Sequence, residues 1–95
     1  MENITTLVTL VQKDFQLDHL EAGTSLQDFR EQMIVVIEEL LLDNVEQLIQ
    51  GAYRIDLDEE HFTTALHQQN AMAIADLIID RETKKIALRK KYRIS

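Results

Sequence analysis

Histidines and carboxylates are the residues here most able to do chemistry, and the chain carries three histidines and seventeen acids. His61 and His67 are six residues apart, on different sides of a helix, so they cannot form the i, i+4 pair that holds zinc. Asp58-Glu59-Glu60-His61 does have the carboxylate-x-x-His spacing of di-metal helical bundles. Those centres use the motif twice and add carboxylates from two further helices. Here it occurs once, at a helix start, where Asp58 has a capping role. Asp56-x-Asp58 matches the opening of a calcium loop, but His61 and His67 stand where that loop needs its glycine and its last glutamate.

Nucleophiles are equally scarce. The serines are Ser25, at a helix cap, and Ser95, and neither lies in a Gly-x-Ser-x-Gly turn. There is no cysteine, and two isolated glycines cannot build a phosphate cradle. Glu39, Asp43 and Glu46 could raise one another's pKa if something covered them, but their pattern reads as a solvated acidic face. The sequence thus predicts a non-enzymatic protein with no catalytic residue, metal, cofactor or small-molecule substrate.

The chain that would position any such residues has 95 of them, 45% hydrophobic and 28% charged, with a formal charge of −7. This is enough for one core and too little for two, so residues 1–95 read as a single domain. No cysteine means no disulfide framework. The longest aliphatic run, Met33 to Ile37, falls far short of the roughly 20 apolar residues a membrane span needs. An acid follows Met1 where a secretory signal carries positive charge, and no lipidation box is present, so a cytoplasmic location is expected.

Two glycines and no proline favour long helices, and the spacing predicts an all-α bundle of about four, with a long central and a long C-terminal helix. Asn3 can cap a first helix carrying Ile4, Leu7, Val8, Val11 and Phe15 at three- and four-residue steps. Gly23 breaks the chain, and Thr24 or Ser25 caps a second helix with Gln27 or Asp28 at capping-box spacing. That helix is expected to run unbroken to Gln50, about 37 Å, and to stop at Gly51. Its main stripe is Leu26, Phe29, Met33, Ile37, Leu40, Leu41 and Leu48. Tyr53 to Leu57 reads as an extended connector with Tyr53, Ile55 and Leu57 as the residues to pin it to the core. Asp58 caps a short third helix burying Phe62, Ala65 and Leu66, and Asn70 caps the last, from Ala71 to about Tyr92.

The charges are segregated. Residues 1–80 carry sixteen acids and three bases, a formal −13; residues 81–95 carry seven bases and Glu82, a formal +6. Cations suit a helix C-terminus, but dipole compensation fades within a turn and leaves Arg81 to Lys85 unexplained. The partner for this basic end could be the acidic body of this chain or a second copy, a nucleic acid, or another acidic partner or anionic membrane. A phosphate backbone would be repelled by the acidic remainder within a Debye length of about 8 Å, and bulky apolar residues for a membrane are few. Protein contact is the favoured reading, as a homo-oligomer or accessory subunit, with nucleic-acid binding as the alternative. Arg81, Lys84, Lys85, Arg89, Lys90 and Lys91 are the candidate electrostatic contact. Two apolar lines at seven-residue spacing, Val35, Leu42, Ile49 and Met72, Ile79, Ile86, are the candidate seam.

Tyr53-Arg54-Ile55-Asp56, Ile74-Ala75-Asp76-Leu77-Ile78, Arg81-Glu82, Lys85 and Arg89-Lys90-Lys91-Tyr92 together resemble the C-terminal half of small uncharacterised bacterial all-helical proteins. The likeness implies a helical fold and brings no activity, ligand or functional residue with it.

Overall fold

The computed structural model describes residues 3–18, 20–21 and 25–93, with side chains for residues 4–90 within those ranges. Among them the chain forms helices only: α1 (Asn3–Phe15), α2 (Leu26–Asp43), α3 (Val45–Arg54), α4 (Glu59–His67) and α5 (Ala71–Arg93). The count is five rather than four. The expected break at Gly23, the Thr24 cap, His19 and the side chains of Asn3, Lys91 and Tyr92 lie outside the described residues.

Side-chain caps start the helices where the sequence placed them. Ser25 Oγ accepts the Asp28 N–H at 3.1 Å, Asp58 Oδ2 accepts that of His61 at 3.0 Å, and Asn70 Oδ1 accepts that of Ala73 at 3.1 Å. The extra helix comes from Asn44, whose φ of −157° and ψ of 65° end α2 and whose Oδ1 accepts the Gln47 N–H at 3.3 Å to start α3. Gln47 then reaches back, its Nε2 donating to Phe15 O at 2.8 Å and Gln16 O at 3.0 Å. One cap residue thus turns the chain and lets its neighbour satisfy the open carbonyls at the end of α1.

Helix ends share a second device. Gln16, Asp56 and Gln69 are left-handed, with φ of 56°, 59° and 52°. Each is followed by a six-to-one bond, Leu17 N to Gln12 O, Leu57 N to Ala52 O and Asn70 N to Ala65 O, at 2.9 to 3.0 Å. These are Schellman stops built without glycine. Gly51 serves otherwise. It lies inside α3, buried against the Phe15 ring, where an added Cβ would fall 2.0 Å from Phe15 Cδ2. The expectation that it ends a helix is corrected: glycine is needed there for close approach of α3 to α1.

Packing centres on α5. It makes its largest contact with α2 and is also covered by α1 and α4, while α3 bridges α1 and α2. Phe15, Phe29, Met33, Ile37, Leu48, Ile55, Ile74 and Ile78 are among the fully buried apolar side chains where these helices meet. The molecule measures 42 × 28 × 19 Å, and α5, about 34 Å long at 1.5 Å per residue, accounts for most of its long axis. Ile55 is buried as expected, but Tyr53 ends up on the exposed side of α3 with 72% of its surface open. No described helix is long and apolar enough to cross a membrane.

Candidate functional site

The expected basic contact is divided by the fold. Arg81 points back over the end of α3, its Nε donating to Ile55 O at 2.8 Å and its guanidinium 4.0 Å from Asp56. Lys84 pairs with Asp80 at 3.1 Å along α5. Lys85 is largely buried and lies 3.4 Å from Asp14 Oδ2 and 3.3 Å from Glu82 Oε1. These three cations therefore meet this chain's own carboxylates and carbonyls. Arg89 and Lys90 are exposed near the end of α5, and the Lys91 side chain is outside the described residues.

Glu82 was missed by sequence reasoning, although a signal was there. It shares one face of α5 with Ala75, Ile78, Ile79 and Ile86, and its exposure is 0%. Neither carboxyl oxygen has an aligned hydrogen bond among the described residues, although the Lys85 ammonium is close to one of them. Burial pushes the Glu82 carboxyl up to about 7; the Asp14 carboxylate acts in the same direction, and Lys85 pulls partly against both. Protonation gives Glu82 a hydrogen to donate to Asp14, which is how a buried acid of this kind can be satisfied. Arg54 closes the cluster from α3, donating to the Asp14 backbone carbonyl at 2.7 Å. None of the larger hollows reaches Glu82, Asp14 or Lys85. The cluster thus joins α1, α3 and α5.

At α4 the Asp58–His61 spacing is used locally. The Asp58 carboxylate takes the His61 backbone N–H and contacts its ring, and these bonds hold Asp58 below the usual carboxylate range. Glu39, Asp43 and Glu46 are all exposed. Among the described residues no three His, Asp or Glu side chains converge on one point that could hold a metal.

The candidate seam also divides. Val35 and Leu42 are open on α2, with 84% of Leu42 exposed, but the break at Asn44 puts Ile49 on another helix and ends their common line. Met72 is exposed, whereas Ile79 and Ile86 belong to the core of this chain. The two period-seven lines therefore do not form two continuous surface stripes: one is cut by a turn and the other runs into the core.

What remains open is a trough along α5. A hollow of about 1030 Å³ lies between α4 and α5, with Ala65, Leu77 and Ile79 in its lining and Glu60, Asp76 and Asp80 at its edge. A second, of about 330 Å³, lies between α1 and the later part of α5, beside Ile86, Ala87 and Lys90. Both include Leu26 and Thr83 in their lining, so the two hollows adjoin there and together follow α5 from Ala73 to Lys90. Asp76 is held at this edge by Arg30 of α2, through bonds of 2.6 and 3.1 Å that keep its carboxyl below the usual range.

No protein-family model matches the sequence, and comparison with curated proteins and with solved structures gave no match.

Proposed function

We propose that this is a non-enzymatic helical interaction protein of the cytoplasm, acting as an accessory subunit or in self-association through the open trough of α5. The observation that carries this reading is the trough itself, an apolar-floored depression on the helix that organises the whole core. Contiguous exposed apolar surface of this kind is what helices use to receive other helices. The competing reading, nucleic-acid binding by the basic end of α5, is supported less, because Arg81, Lys84 and Lys85 are already engaged within the fold. A photo-crosslinking residue placed at Thr64, on the α4 wall, should yield protein adducts in cells. The same residue at Gln50, exposed on α3, should not. No adduct at Thr64, together with nuclease-sensitive adducts from position 89, would reverse the order of the two readings.

A further inference from the structure

We infer that the seam between α1 and α5 is a proton-operated latch. It is closed while the buried carboxyl of Glu82 carries a proton, and it opens to water when that proton leaves, with α1 staying attached to α3.

The two helices run antiparallel along the seam. At one end Asp14 of α1 meets Lys85 of α5 at 3.4 Å. Towards the other, Ile4 and Leu7 face Ile86 and Ala87 across a hollow of about 330 Å³. The seam is therefore filled at one end by ionisable groups and incompletely packed at the other.

The charges at the first end account for the proton. Asp14 and Glu82 bring two carboxyl groups to one ammonium, Lys85, whose Nζ is 3.3 Å from Glu82 Oε1. With both acids ionised the group is net negative, at a place where Glu82 has 0% exposure and neither of its oxygens has an aligned hydrogen bond. One proton brings the sum to zero and gives Glu82 a hydrogen to donate. Asp14 and Lys85 are the charged groups acting on Glu82. The other cations are engaged elsewhere: Arg54 of α3 on the Asp14 backbone carbonyl, Arg81 on Ile55 O, and Arg30 of α2 on Asp76. Lys13 of α1 is exposed, and His61 of α4 sits at the surface on Asp58. The buried residues of α2 and α4, such as Met33 and Phe62, carry no charge.

The hold of α1 on α3 does not titrate near neutrality. It consists of the Gln47 amide on Phe15 O and Gln16 O, the Phe15 ring against Gly51, and a guanidinium that stays charged. Proton loss thus loosens the α5 side alone. Opening lets Glu82 return to water and to an ordinary carboxyl, so it becomes easier as pH rises from about 4.5 to about 7 and levels off above that.

Amide hydrogen exchange of the full chain, followed by NMR and corrected for the intrinsic effect of pH, tests the latch. Protection of the α1 amides from Val8 to Phe15 should fall at least tenfold between pH 5 and pH 8 and should be insensitive to dilute urea, as exchange through local opening is. Amides of α2 around Met33 should stay better protected at pH 8 and should respond to urea. Glu82→Gln should keep α1 protection level across the range. Asp14→Asn should move the fall to lower pH, because Lys85 then balances Glu82 alone. Level α1 protection in the unaltered protein would overturn the inference, as would α1 and α2 losing protection together with equal urea sensitivity. A fall that persists in Glu82→Gln, or one that does not shift in Asp14→Asn, would overturn it equally.

Discussion

At the scale of single residues, Glu82 and Gly51 depend most on their surroundings. Glu82 is buried with Asp14 and Lys85, and burial lifts its pKa from 4.5 to about 7. A raised acid binds more protons folded than unfolded between those values, so its contribution to stability is complete below about pH 4.5 and is lost as pH rises through about 7. Glu82→Gln should therefore match the unaltered protein near pH 5 and be the more stable of the two near pH 8, where it spares the fold a buried charge. Urea unfolding at the two pH values checks this; an equal offset at both would show that packing, not ionisation, sets the difference. Lys85 should be needed most at high pH, because without it two carboxylates share a poorly hydrated space. Gly51 makes a contrary case to helix propensity. Alanine normally gains about 1 kcal/mol over glycine inside a helix, but here its Cβ would enter the Phe15 ring. Gly51→Ala should cost about 1–3 kcal/mol, and Phe15→Leu in the same chain should recover part of that cost.

At the scale of elements, starts and stops are unequally encoded. The starts at Ser25, Asp58 and Asn70 use side chains that accept N–H groups from the first turn, a local interaction visible in four residues of sequence. The stops use left-handed Gln16, Asp56 and Gln69, which carry no glycine to announce them. An L-residue in that region costs roughly 1–2 kcal/mol, so Gln69→Gly should stabilise the chain by about 1 kcal/mol, read as a higher midpoint in urea. The break at Asn44 was legible in principle, since Asn44-x-x-Gln47 is a capping pair; it lay inside a run of leucines whose helical period masked it. The turn instead lays α3 against α1 as well as α2. Leu48 is then at 0% exposure.

At the scale of the molecule, the charge split becomes an internal arrangement at one end and a surface feature at the other. Arg81, Lys84 and Lys85 tie α5 to the ends of α1 and α3 and to its own acids, while Arg89 and Lys90 remain at the surface. Leu42, the most open of the described large apolar residues, shares its face of α2 with the exposed Val35, two turns away. Leu42→Ser should change stability by no more than about 0.5 kcal/mol and leave the oligomeric mass as it was. Scattered exposed apolar residues are ordinary at protein surfaces; a trough along the central helix is not.

By itself the sequence determined the all-helical class, the capped starts, the buried stripe of Phe29, Met33 and Ile37, and the opposition of an acidic body to a basic end. All of these follow from interactions within a few residues or from periodicity along one helix. The tertiary structure alone decided that Gly51 makes room for a ring rather than ending a helix, that Ile79 and Ile86 face inward, and that Glu82 is a buried acid. It also decided that the trough lies along α5. Helical period shows which residues share a face, but only the packing of the five helices determines which face is covered, and by what.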